Sequence, residues 1–170
     1  MHAAVMEFVK KVVNEYGHLI VNADILEIGA LNVNGTIRDA FNDTGYAHWI
    51  GVDYNDGDKV DYTVKPGEFL NIVTSEFDVV VSTSALEHDP YLEDTLAWVS
   101  IVLKSGGVLI LTVDVLGKHD IYLTNHYNDV DGEWLRDRLV GLGFVVEKQG
   151  IGGRNIFIVA RRIRIYGVNQ

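Results

Sequence analysis

Two stretches of this chain are apolar at almost every position, and they constrain the fold more than anything else in the sequence. Phe77-Asp78-Val79-Val80-Val81-Ser82 and Val108-Leu109-Ile110-Leu111-Thr112-Val113 are rich in β-branched residues and show little alternation. Strands of that kind are covered on both faces, as in a parallel sheet flanked by helices. Between them, the segment from Leu92 to Leu103 is expected to be helical, stopped by Ser105-Gly106-Gly107.

The rest of the chain continues the alternation. From His2 to Glu15, Val5, Met6, Val9, Val12 and Val13 recur at helical spacing, with Lys10, Lys11 and Glu15 on the other side and Gly17 as a stop. A short strand is predicted over Asp24-Ile25-Leu26-Glu27-Ile28, and the first turns of a helix over Thr36 to Phe41. Strands are expected over Tyr46 to Val52 and Asp61 to Val64, with a short helix from Pro66 to about Thr74. Leu116 to Val130 is polar and irregular. Gly132 to Leu142 reads as a helix with Trp134, Leu135, Leu139 and Leu142 on one face. Phe144 to Glu147 and Asn155 to Ala160 then form a hairpin around Gly150, Gly152 and Gly153. Strands alternating with helices imply right-handed crossovers and a doubly wound, mostly parallel α/β sheet, with one antiparallel strand added near the C-terminus.

Composition excludes several classes. The 170 residues fit one domain with one core, and 48% hydrophobic content is too high for a disordered chain. Charged or polar residues break every apolar run before it could span a bilayer, so no membrane role is expected. The first residues lack the order of a signal peptide, and a cytoplasmic location is expected by default. With no cysteine, disulfides and thiolate chemistry are ruled out. The formal net charge of −10 disfavours nucleic acid as a partner. Lys148, Arg154, Arg161, Arg162 and Arg164 form a basic group near the C-terminus, read most simply as solubilising a terminal hairpin. The oligomeric state is not legible.

Ligands of such sheets bind outside the carboxyl ends of the strands, where the strand order reverses. The loops after Ile28, Val52, Ser82 and Val113 are therefore the place to look. Gly29 ends the first strand, and Gly35 opens the helix expected beyond the loop Ala30-Leu31-Asn32-Val33-Asn34. This spacing is not the G-x-G-x-x-G of dinucleotide binders, which argues against a nicotinamide-dependent oxidoreductase. Asp53 stands at the tip of the second strand, 24 positions after Gly29, where an acid can accept from both hydroxyls of a ribose. An acid there also serves as a turn residue, with Asn55-Asp56-Gly57-Asp58 following. Loop and acid together point to a nucleoside-containing ligand.

These segments resemble the class I S-adenosylmethionine-dependent methyltransferases. Leu26-Glu27-Ile28-Gly29 through Gly35 is similar to that family's first motif, and Gly51-Val52-Asp53 to its ribose-binding motif. Phe77 to Ser82 followed by Leu86-Glu87-His88 is similar to its fourth-strand motif, and Leu103-Lys104-Ser105-Gly106-Gly107 to the turn into its fifth strand. The likeness runs from Asp24 to Arg162. It implies S-adenosyl-L-methionine as cofactor, S-adenosyl-L-homocysteine as product and a small-molecule acceptor. It also implies that Glu27, Gly29, Ala30, Leu31, Asn32 and Gly35 hold the methionine portion. Asp53 would take the ribose, with Tyr54 beside the adenine, and Ser82 and Thr83 would lie near the reactive methyl. Two departures stand out. Leu31 and Asn32 occupy the centre of the first loop, where the family more often has a second glycine. The third-strand region reads Val64-Lys65-Pro66-Gly67-Glu68, so Glu68 or backbone groups would have to take the adenine amino group.

His88 follows the fourth strand at the edge of the expected cleft, where it acts either as a general base or as a brace of its loop. His119, Asp120, His126, Asn128 and Asp129 lie in the irregular stretch, where some catechol-type relatives hold a divalent metal through positions matching Asp114, Asn128 and Asp129. A polar lid explains these residues equally well, and no metal is assigned. A non-catalytic adenosylmethionine-binding or interaction domain is the main alternative to an enzyme.

Overall fold

A computed structural model describes residues 3–33, 35–65, 68, 76–115, 128 and 130–163. Seven strands form one sheet: β1 (Asp24–Ile28), β2 (His48–Asp53), β3 (Tyr62–Thr63), β4 (Phe77–Thr83), β5 (Leu103–Asp114), β6 (Phe144–Gly152) and β7 (Asn155–Arg162). Their order is β3-β2-β1-β4-β5-β7-β6. β7 runs antiparallel to both neighbours, and the remaining pairings are parallel. The order reverses between β1 and β4, so the carboxyl ends of these strands open the crevice where ligands bind in such folds.

The sheet sorts its residues by parity, since successive side chains point to opposite faces. Leu26, Ile28, Val80, Leu109, Leu111 and Ile158 form one core with Leu92, Leu96 and Val99 of α3 (Leu92–Val102) and Leu135 and Leu139 of α4 (Gly132–Gly141). Ile25, Val79, Val81, Val108, Ile110 and Val159 form the other core with Val5, Val9, Val12 and Val13 of α1 (Ala3–Glu15). Valine is a middling helix former, so packing against the sheet rather than propensity holds α1. Each fully buried valine contributes about 1.5–3 kcal/mol.

The structure departs from the sequence expectations at several joints. α1 ends at Glu15, but the chain makes a second short helix, α2 (Gly17–Ile20), before it turns. The helix expected over Thr36 to Phe41 is a four-residue 3₁₀ turn, Ile37–Ala40, whose Thr36 hydroxyl accepts from the Arg38 N–H at 3.2 Å. α3 stops at Val102 and β5 begins at once with Leu103, five residues earlier than its apolar run. The pairing moves from Phe77–Leu103 to Val79–Val108, so a bulge absorbs the glycine-containing segment. β6 extends past Glu147 to Gly152, and a two-residue turn with Gly153 at φ +61 closes the hairpin. The helix expected from Pro66 to Thr74 falls largely outside the described residues, as do His119, Asp120, His126, Asp129 and Arg164.

The basic group at the hairpin is internally engaged. Lys148 pairs with Glu15 at 2.9 Å, Arg161 with Glu147 at 3.1 Å and Arg154 with Asp114 at 3.3 Å. Arg162 donates to the carbonyls of Ser100, Leu142 and Gly143. Among the described residues no helix is long and apolar enough to cross a membrane.

Candidate functional site

The first loop is built on Gly29, which sits at φ +78, a region open to glycine and strained for other residues. A Cβ here would stand 2.2 Å from the Cβ of Ala85, in the loop after β4. The glycine therefore lets the loops after β1 and β4 close on each other. Gly29 and Ala30 both donate to the Val52 carbonyl, at 2.9 and 3.1 Å. Asn32 donates from its backbone to the Asp58 carbonyl at 3.1 Å and from Nδ2 to the Asp58 carboxylate at 2.8 Å. Its Oδ1 accepts from the Gly35 N–H at 3.0 Å, which closes the loop on itself. The α-helix N-terminus expected beyond Gly35 is replaced by the short 3₁₀ turn Ile37–Ala40.

Asp53 links the first loop to the second. Its Oδ2 accepts from the Leu31 N–H at 3.1 Å and its Oδ1 from the Asn55 N–H at 2.9 Å. A carboxylate oxygen can accept more than one bond, so both oxygens retain capacity for a pair of adjacent hydroxyls. The two readings of Asp53, turn residue and ribose acceptor, are thus compatible.

Glu27 lies deeper, on the α1 face of the sheet. Trp49 Nε1 and Arg38 Nε donate to its Oε2 at 2.9 and 3.2 Å. Burial pushes its carboxyl up, opposed by the Trp49 and Arg38 bonds and the Arg38 charge. Arg38 also reaches the Lys59 carbonyl at 2.7 Å and stands 5.4 Å from the centre of the Trp49 ring. Glu27 therefore ties β1, β2 and the 3₁₀ turn together beneath the loop.

Tyr54 is half-buried against the α3-side core, and its hydroxyl donates to Asp89 Oδ1. Burial and then the Asp89 bond push the phenol well above its ordinary value. Asp89 also accepts from the Tyr91 N–H at 2.8 Å and the Thr95 hydroxyl at 2.5 Å. This buried carboxylate fixes the Tyr54 ring to the start of α3. Glu68 is exposed, and its N–H donates to the Lys65 carbonyl at 3.0 Å.

At the end of β4, Ser82 is fully buried and its hydroxyl has no hydrogen-bond partner among the described residues. Thr83 closes the strand opposite Thr112 of β5. Ser84 then adopts φ +49, with its N–H bonded to the Thr112 carbonyl at 2.8 Å. A serine held at positive φ beside a strand end is the sort of strain that collects at functional sites. The turn Leu86–His88 follows, with Glu87 buried and His88 half-buried. Burial raises the Glu87 carboxyl to about 7, opposed by backbone N–H groups and the His88 charge.

Asn128 clamps this turn. Its N–H donates to the Glu87 carbonyl at 3.2 Å, and its Nδ2 to those of Leu86 at 3.0 Å and Asp89 at 2.5 Å. Asn128 thus serves the turn, and among the described residues no group of three or more histidines and carboxylates is placed to hold a metal. Ser84, Glu87 and Asp89 are the site residues that sequence reasoning left without a role, and Asn128, weighed there as a metal or lid position, clamps the turn. Positive φ at serine and burial of a charged residue carry no local signal.

The fold is a doubly wound α/β sheet whose loops after β1, β2 and β4 converge on the crevice at the strand ends. The family described as the methyltransferase domain matches residues 26–111, just over half of the chain. The chain belongs to that family. No curated protein matches it in sequence. Solved structures share its fold at low identity. A chain from the Haloferax volcanii complex of the Trm112 methyltransferase activator with a candidate methyltransferase is 13% identical, with a TM-score of 0.71, covering 94% of this chain and 95% of its own. The Burkholderia thailandensis 1,6-didemethyltoxoflavin-N1-methyltransferase, bound to 1,6-didemethyltoxoflavin and S-adenosylhomocysteine, is 18% identical with a TM-score of 0.71, covering 95% and 79%. A Bacillus halodurans chain described as a candidate methyltransferase is 14% identical with a TM-score of 0.66, covering 91% and 99%.

Proposed function

We propose that this protein is an S-adenosylmethionine-dependent methyltransferase acting on a small-molecule acceptor. The observation that carries the reading is Asp53, held by the Leu31 and Asn55 N–H groups with acceptor capacity left for a ribose. The residues fit the cofactor on a second count. Ser82 Oγ and Glu87 Oε2 are buried polar atoms without hydrogen-bond partners near the strand ends where the ligand would lie. Such atoms in a native protein call for an explanation, and an absent ligand is one. Family membership supports the same reaction class, and a fold relative holding both adenosylhomocysteine and a small acceptor supports the same use of the crevice.

Bound there, adenosylmethionine supplies an electrophilic methyl group on a sulfonium sulfur. Asp53 would orient the ribose, and Tyr54, fixed by Asp89, would flank the adenine. Gly29, Ala30, Leu31, Asn32 and Gly35 form the wall beside the methionine portion, with Glu27 bracing it from below and Glu68 near the adenine end. Ser82 and Thr83 line the floor beneath the methyl. Direct displacement needs alignment and exclusion of water more than acid–base machinery. His88 stands at the acceptor end of the same turn, where an imidazole could receive a proton from an amine or hydroxyl acceptor.

The test is thermal unfolding with adenosylhomocysteine and with NAD. At a hundredfold excess over the dissociation constant, adenosylhomocysteine should stabilise the protein by roughly 2.7 kcal/mol, while NAD leaves it unchanged. Equal stabilisation by NAD would defeat the reading.

A further inference from the structure

Unpartnered polar atoms are concentrated at one end of the sheet. Among the described residues Ser82 Oγ, Glu87 Oε2 and Thr112 Oγ1 are buried without a hydrogen-bond partner, and the buried Asp114 Oδ1 has only its ion pair with Arg154 at 3.3 Å. They come from the carboxyl ends of β4 and β5 and the turn that follows β4. Glu87 differs from the hydroxyls in its charge and from Asp114 in having no ion pair among the described residues. It is 1% exposed, yet it carries a carboxyl group with an unpartnered oxygen. Burying a charge in this way is expensive unless something pairs with it. The described residues supply incomplete pairing. His88 contributes from the same turn and Asp114 from β5, where the acid opposes ionisation of Glu87. Arg154, from the β6–β7 turn, lies against Asp114. Asp89, two residues on, is already bound to Tyr54, Tyr91 and Thr95. Asn128 fixes the turn through three backbone carbonyls, so Glu87 is held in place. The described residues therefore hold two acids at this strand end: Asp114 is paired with Arg154, and the Glu87 carboxylate, helped by backbone N–H groups and the His88 charge, keeps one oxygen without a hydrogen-bond partner among them.

The methyltransferase reading, on which this inference rests, provides a cation for that carboxylate. Adenosylmethionine carries a positive sulfonium where adenosylhomocysteine has a neutral thioether, and the two are otherwise alike. We propose that Glu87, flanked by Asp114, is the residue that discriminates the charged cofactor from its neutral product at the methyl-donating end of the site. The ionised carboxylate attracts the sulfonium through a poorly screened interior and does nothing for the thioether. Once the methyl group has left, that attraction is gone, which favours release of the product.

Because burial brings the Glu87 carboxyl close to neutral pH, the discrimination follows pH. The experiment is isothermal titration of the full chain with adenosylmethionine and with adenosylhomocysteine at pH 6 and pH 8. The two ligands share amino, carboxylate and adenosine groups, so their affinity ratio cancels titrations that act on those shared groups, and Glu87→Gln separates Glu87 from its neighbours His88 and Asp114. In the wild type the preference for adenosylmethionine should rise roughly tenfold between the two pH values. Glu87→Gln keeps the size and polarity of the side chain, and should bring the ratio down to a low value that pH does not change. Asp114→Asn should move the midpoint of the rise to lower pH, since it removes a neighbouring negative charge. A wild-type ratio that ignores pH, or a Glu87→Gln ratio that still follows it, overturns the proposal while leaving the methyltransferase reading intact. Failure of both ligands to bind at either pH overturns both.

Discussion

The two halves of the crevice are finished to different degrees. On the β1–β2 side, backbone N–H groups of Gly29, Ala30, Leu31, Asn32 and Gly35 are all bonded within the protein, and Asp53 and Glu27 each accept two bonds. On the β4–β5 side, Ser82, Thr112 and Glu87 each present a buried polar atom without a hydrogen bond among the described residues. The first half is a rigid frame that needs no ligand to be satisfied. On the proposed reading the second is completed by the bound cofactor. That division suits a methyltransferase, in which the nucleoside is held constant while charge and acceptor change during the reaction.

The largest expected effect would break the rigid half. Gly29→Val puts a branched side chain at φ +78 and drives its Cβ against Ala85. Backbone strain and overpacking together should lower stability by about 3–4 kcal/mol, measured by denaturant unfolding. A loss under about 1 kcal/mol would mean that the loops after β1 and β4 separate freely, and the contrast between the halves would weaken.

The incomplete half should reveal itself through pH. Glu87 holds its proton more tightly when folded than the ordinary carboxyl value of 4.5, up to about 7. Below about pH 4.5 the group is protonated in both states and costs nothing. As pH rises towards 7 the unfolded chain ionises first, so the folded state loses stability, and the loss is complete above 7. The penalty approaches about 3 kcal/mol. Glu87→Gln should therefore be more stable than the wild type at pH 8 and similar to it near pH 4.5, as read from paired denaturation curves. A constant difference between the two proteins across this range would show that Glu87 is ordinarily solvated.

The sequence made the sheet legible because its strands are composed of residues that can only be buried. Val79-Val80-Val81 and Leu109-Ile110-Leu111 lie on paired strands with both faces covered, as their composition implies. Element ends were harder to read, for identifiable reasons. Leu103 follows a helical pattern without a break, and only the bulge opposite Phe77 turns it into a strand. Thr36 to Phe41 has helical spacing, but the chain turns at Phe41 and leaves a single 3₁₀ turn. In the site, Gly29 and Asp53 were readable because backbone geometry and strand-tip acids leave signatures. Glu87 was read only as a neighbour of His88, because its burial depends on β5 and Asn128, both distant in sequence. The Tyr54–Asp89–Thr95 network is likewise a product of packing between β2 and α3.

The smallest of the expected changes bears on the claim that matters most, that Asp53 receives the ribose of an adenosyl ligand. Calorimetric titration of adenosylhomocysteine into the wild type and Asp53→Ala tests it directly. The wild type should bind, and the variant should bind more weakly by about 1.5–3 kcal/mol in all, the worth of one charge-assisted bond once water replaces part of what is lost, a ten- to hundredfold change in affinity. Its fold should persist, because Asp53 sits at a partly exposed strand tip. An affinity unchanged by the substitution, or a wild type that does not bind adenosylhomocysteine at all, would contradict the account.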